Sequence, residues 1–149
     1  MRRLTVLRHA HASDAPPGGD DFDRPLSTSG REAARELGAR FGAELPSPQR
    51  LCISPALRTR TTAELACGAA WPSVGHDLCS SLYLASLGAL LKEIASTPDS
   101  CEHLVLVGHN PGLSELWSMI GGETGFGGLA PCEWRSREFD VPHWSEVVR

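Results

Sequence analysis

The sequence predicts an α/β protein, a three-layer α/β/α sandwich with a mostly parallel central sheet and an antiparallel edge strand. Short unbroken apolar runs, above all Leu104-Val105-Leu106-Val107, lack the polar alternation of a half-exposed strand and therefore describe strands covered on both faces. Amphipathic segments lie between them, with apolar residues at helical spacing, as in Leu87, Leu90, Leu91 and Ile94. A chain of 149 residues with 41% hydrophobic content suits one domain, spanning residues 1–149, with a core on each side of a sheet.

The elements follow in order. Leu4-Thr5-Val6-Leu7 reads as a first buried strand that ends directly in Arg8-His9-Ala10-His11. Asp14 to Asp23 is a loop rich in Pro, Gly and Asp, more in keeping with a solvated turn than with the spacing of a calcium loop. Ser29 with Glu32 then forms a capping box for a helix carrying Ala33, Ala34, Leu37 and Phe41 on one face, and Pro46 and Pro48 end it. Arg50 to Ile53 is the next strand. Ser54 as N-cap and Pro55 at the first helical position place Arg58 in the first turn of a second helix, where side chains lean back toward the sheet's carboxyl edge. Val74 to Cys79 forms a short strand, and Leu87 to Ile94 marks a third helix ending near Pro98.

The strand at Leu104 to Val107 is the expected centre of the sheet, and the chain turns immediately after it. Gly108 permits the turn, Asn110 is an N-cap, Pro111 suits the first helical position, and Leu113, Leu116, Trp117 and Ile120 continue a fourth helix. His109 thus falls at the carboxyl end of a central strand beside free helix N–H groups, where open α/β sheets hold anionic ligands. Gly121-Gly122 stops that helix, Gly125 to Gly128 is a loop without an assigned path, and Cys132 to Phe139 is the antiparallel edge strand. Val141 to Val148 adds a short terminal piece.

Composition narrows the function classes. A net charge of −4 opposes nucleic-acid binding, yet of fourteen Lys and Arg residues only Lys92 is a lysine, so local guanidinium sites remain available. No apolar stretch has the length of a signal peptide's core or of a membrane span. Five cysteines with no Cys-x-x-Cys indicate neither a disulfide framework nor a zinc ribbon, which points to a cytoplasmic location. His9-Ala10-His11 lacks the partner cluster a metal would need, so neither a metal nor another cofactor is expected; His76, His103 and His143 read as surface or strand-edge residues. Arg8, His9, Arg58 and His109 collect at the inferred carboxyl edge, with Arg24 on a loop able to fold over them. Guanidinium forks bind phosphoryl oxygens and a neutral imidazole attacks phosphorus, so this set fits phosphoryl transfer through a phosphohistidine.

Four motifs, Leu7-Arg8-His9-Ala10, Asp23-Arg24-Pro25-Leu26-Ser27, Ser54 through Ala63 and Val107 through Gly112, occur in an order that resembles the histidine phosphatase superfamily, the phosphoglycerate mutase-like fold, and within it the short SixA-type phosphohistidine phosphatases. The resemblance implies that His9 is the phosphorylated nucleophile, that Arg8, Arg58 and His109 bind the phosphoryl group, and that Arg24 is a further anion ligand; Asn110 joins them as a substrate-binding residue. It also implies a phosphorylated protein or a small phosphorylated compound as partner. Ala10 stands where most of the superfamily has glycine, as in SixA-type relatives, and is expected to narrow the pocket slightly. Leu78 to Ser86 contains no glutamate where many members carry a proton donor, which disfavours ordinary ester hydrolysis. The alternatives are a small-molecule phosphomonoesterase and a phosphate-binding module without turnover. The intact His9 favours an enzyme.

Overall fold

The computed structural model describes residues 1–149, built on one five-stranded sheet in the order β3-β2-β4-β1-β5. Strands β1 (Arg2–Arg8), β2 (Arg50–Ile53), β3 (His76–Leu78) and β4 (His103–Gly108) are parallel, and β5 (Trp134–Phe139) pairs antiparallel with β1 at the edge. Helices α1 (Thr28–Glu44) and α2 (Leu57–Ala70) cover one face; α3 (Leu87–Ala95), α4 (Gly112–Ile120) and α5 (Trp144–Val147) cover the other. All six residues of β4 are buried, and they alternate between the two cores. Leu104 and Leu106 pack with Leu113, Leu116 and Trp144, whereas Val105 and Val107 pack with Leu37, Phe41 and Ala66. This two-sided burial explains why the strand carries no polar alternation.

The helix starts differ from the sequence expectation because tertiary partners claim the capping residues. Ser27, not Ser29, is the N-cap of α1, accepting from the Gly30 N–H at 3.1 Å. The same Ser27 hydroxyl meets the His11 ring at 2.8 Å and the His11 carbonyl, which ties the helix start to the chain leaving β1. Ser54 does not cap α2, whose N-cap is Ala56, and Asn110 does not cap α4, whose N-cap is Pro111; both side chains are used elsewhere. The terminal segment forms α5, where Trp144 is fully buried and donates its Nε1–H to the Cys101 carbonyl at 2.7 Å. His103 is not a surface residue: it is buried at the start of β4, with Nδ1 donating to the Pro46 carbonyl and Nε2 facing Thr5 Oγ1 at 2.8 Å.

The topology also fixes where a site can form. From β1 the chain passes to α1 on one face, and from β4, its neighbour, it passes to α4 on the opposite face. The two exits diverge and leave a crevice at the carboxyl ends, the usual ligand position in open α/β sheets. Arg8 and Gly108 are register partners, and the His9 N–H continues the ladder to the Gly108 carbonyl at 3.1 Å. His9 and His109 therefore emerge side by side.

Gly38 lets α1 approach α2 closely, since a Cβ there would collide with the Leu65 carbonyl oxygen. Gly38→Ala should lower the urea unfolding midpoint, because overpacking costs about 1–3 kcal/mol and exceeds the roughly 1 kcal/mol gained in helix propensity. A midpoint at or above that of the parent protein would show that the helices separate freely.

Candidate active site

A cleft of about 300 Å³ opens at the carboxyl ends of β1 and β4 and is lined by all six residues singled out from the sequence: Arg8, His9, Arg24, Arg58, His109 and Asn110. Local structure sets the state of each side chain. His9 donates its Nδ1–H to the Ala10 carbonyl at 2.7 Å, which leaves the Nε2 lone pair free. The His109 ring lies beside it, with centroids 5.4 Å apart. Ser54 Oγ meets His109 Nε2 at 2.7 Å, and with the hydroxyl donating, the proton of neutral His109 sits on Nδ1. Ser54 thus serves His109 rather than a helix start.

Burial and the surrounding guanidinium groups of Arg58, Arg8 and Arg24 push His9 down to about 4. Burial, followed by Arg58, takes His109 down to about 3. Both imidazoles are therefore neutral at physiological pH, one as a lone-pair donor and the other as an N–H donor. Arg58, the second residue of α2, is buried and directs Nη1 and Nη2 at the backbone carbonyl and the carboxylate of Asp21, at 2.7 and 3.0 Å. Arg8 donates Nη1–H to the Leu129 carbonyl at 2.9 Å. Arg24 is held over the cleft by Nε to the Ser13 carbonyl at 3.0 Å.

The remaining expectations meet mixed outcomes. Asn110 lines the cleft, but its amide is committed, donating to the Leu129 carbonyl at 2.8 Å and accepting from Ser114 Oγ at 2.7 Å. It thereby places the loop of Gly125 to Gly128, whose following residue Leu129 is anchored by its N–H to Ser114 as well. Ala10 does not narrow the pocket: its side chain is fully buried against Leu26 and Ala34, and its N–H donates to Thr62 Oγ1. Three further residues were not legible as parts of the site. Asp21 was hidden in an acidic loop, Tyr83 is the only tyrosine and has no motif around it, and Leu84 is an exposed leucine with φ of 48° at the rim. The Tyr83 hydroxyl donates to the Asp21 carboxylate at 2.6 Å, and its ring packs edge-on against His109. The one signal for Asp21 is its position three residues before Arg24, within a short 3₁₀ turn (Asp21–Asp23) capped by Asp20.

The family model of the histidine phosphatase superfamily (branch 1) matches residues 4–77, which hold Arg8, His9, Arg24 and Arg58. An uncharacterised protein of Picosynechococcus is 34% identical over 126 residues, covering 82% of this chain and 75% of that protein. The chain belongs to the histidine phosphatase superfamily. Among solved structures it is similar to one assigned as the phosphohistidine phosphatase SixA of Agrobacterium tumefaciens, with a TM-score of 0.81 and 28% identity over 91% of this chain and 90% of that one. The protein histidine phosphatase SixA complexed with tungstate shares the fold at a TM-score of 0.75 and 22% identity, over 90% and 86% of the two chains. No helix is long and apolar enough to cross a membrane.

The neutral histidines also make the fold sensitive to acid. Burial lowers His103 to about 4, alongside His9 at about 4 and His109 at about 3, against an unfolded value near 6.5. The unfolded chain then binds more protons below pH 6.5, so the contribution of these groups is fully present above that value and is lost as pH falls toward 4. The thermal midpoint should drop between pH 6.5 and 4, and His103→Gln should flatten that drop. A pH slope unchanged by the substitution would remove His103 from this account.

Proposed function

We propose that the protein is a metal-independent phosphatase that works through a phosphohistidine on His9 and removes phosphoryl groups from phosphohistidine on a protein partner. The observation that carries the reading is the set of buried donors without a partner in the protein. Three of them, Arg8 Nε, Arg58 Nε and His109 Nδ1, belong to residues that line the cleft beside His9. Buried unpaired donors are costly, and a phosphoryl group with three acceptor oxygens answers all three.

In this scheme His9 Nε2 attacks phosphorus while Arg8, Arg58 and His109 meet the charge on the phosphoryl oxygens. Water then attacks the phosphohistidine and returns the electron pair to His9 Nε2. A unit charge at 4 Å from each guanidinium is worth roughly 4 kcal/mol at an effective dielectric near 20, so fixed cations supply the stabilisation that a metal provides elsewhere. The non-catalytic alternative gives no reason for a lone pair to be presented at the cleft. A protein substrate is favoured because only a short 3₁₀ turn (Ser80–Leu82) and α3 intervene between β3 and β4, and α3 packs on the core instead of roofing the cleft.

His9→Ala should abolish turnover while the fold is retained, and rapid mixing with radiolabelled substrate should trap an acid-labile, base-stable adduct on the parent protein. An adduct persisting after the substitution would place the nucleophile elsewhere. Arg58→Ala should reduce kcat/KM by roughly tenfold to a few hundredfold, the range for charge-assisted bonds of about 1.5–3 kcal/mol. Unchanged kinetics would take Arg58 out of the reaction. Vanadate should compete with substrate, and a chelator should leave the rate unaltered; loss of activity restored by added metal would end the metal-independent reading.

A further inference from the structure

The only carboxylate that lines the cleft is that of Asp21, and it is fixed from several sides. Its backbone carbonyl and carboxylate occupy Nη1 and Nη2 of Arg58, its carboxylate accepts from the Tyr83 hydroxyl at 2.6 Å, and Arg24 Nη1 approaches it at 3.4 Å. Asp20 caps the turn in which it stands by accepting from the Phe22 N–H, so the main chain is held as well. Arg58 keeps Nε unpartnered, as are Arg8 Nε and His109 Nδ1. A phosphoryl group therefore finds its donors without dislodging Asp21, and the carboxylate stays in the cleft wall.

That wall belongs to the His109 side of the cleft. Tyr83, which holds Asp21, packs edge-on against the His109 ring at 5.6 Å, and the next residue, Leu84, is 55% exposed at the rim. In-line displacement at phosphorus puts the leaving group on the side away from the attacking His9 nitrogen. We infer that Asp21 and Leu84 form the subsite for the leaving group and that it takes a flat cationic ring, with Leu84 against the ring face and Asp21 accepting a hydrogen bond from the protonated ring N–H. This rests on the phosphohistidine reading above and adds the means by which such a substrate is chosen.

The step balances without an enzymatic acid. The bond between phosphorus and the substrate ring nitrogen breaks with its electron pair returning to that nitrogen, as the bond from phosphorus to His9 Nε2 forms. The proton on the other ring nitrogen remains, and neutral imidazole departs. Asp21 takes part as an acceptor only, since the Tyr83 hydroxyl and the Arg58 guanidinium hold its carboxyl down to about 2. A hydrogen-bond acceptor fixed there, its charge already met by Arg58 and Arg24, serves a ring N–H and offers nothing to an aryl group without a donor.

The test compares kcat/KM for N-phosphoimidazole and for p-nitrophenyl phosphate in the parent protein and in Asp21→Asn. The ratio of the two should fall about tenfold to a hundredfold, the span of one charge-assisted hydrogen bond. Leu84→Ala, on an exposed residue, should move the ratio in the same direction and serves if Asp21→Asn does not fold. Equal losses on both substrates would reduce Asp21 to a support for Arg58 and overturn the subsite. A parent protein that hydrolyses the aryl phosphate and leaves N-phosphoimidazole untouched would overturn the phosphohistidine reading itself, a failure visible before any residue is changed.

Discussion

The pairing of β1 with β4 is the constraint on which the rest depends. Neither strand holds a complete site, but their parallel register sets Arg8 opposite Gly108 and delivers the residues that follow, His9 and His109, to one crevice. Helices then leave the two strand ends on opposite faces, so the crevice is not filled by the chain that made it. Further positions are supplied by neighbours: β2 leads into Ser54 and the first turn of α2, which bring the His109 partner and the Arg58 guanidinium to the same edge. A slip of register by one residue between β1 and β4 would separate the two imidazoles and send the side chains of the slipped strand into the opposite core.

Charge and burial act together in the crevice. Burial, together with the guanidinium groups nearby, keeps both imidazoles neutral, and the Ala10 carbonyl and the Ser54 hydroxyl each meet one nitrogen of a ring. The same arrangement presents a lone pair on His9 and an N–H on His109, two complementary functions from one residue type. Its cost falls on the fold, because neutral buried histidines make the folded state give up protons that the unfolded chain would bind in acid.

Much of this was written in local sequence. The unbroken apolar runs reported strands buried on both faces, and the placement of Arg8-His9 and His109 at strand ends, with Arg58 in the first turn of the helix after β2, reported their convergence. What stayed hidden was set by distant partners. Ser54 and Asn110 have the composition of helix caps, yet one is claimed by His109 across the sheet edge and the other by Leu129 and Ser114. His103 looked like a strand-edge residue because nothing nearby announces that Thr5 and Pro46 enclose it. Asp21 and Tyr83 lie 62 residues apart, and only the folded chain gives their 2.6 Å hydrogen bond a meaning.

The carbonyl of Leu129 receives both the Arg8 guanidinium and the Asn110 amide, so the glycine-rich segment before it is fastened to the crevice by a main-chain oxygen. Every amino acid provides that oxygen. The path to that oxygen is less tolerant: Gly125 and Gly128 hold φ of 75° and 108°, which residues with side chains rarely adopt, and Phe126 and Leu129 pack against the core beside α4. Arg8 and Asn110 are thus steadied by an atom that no substitution at position 129 can remove, at the end of a segment whose shape depends on glycine.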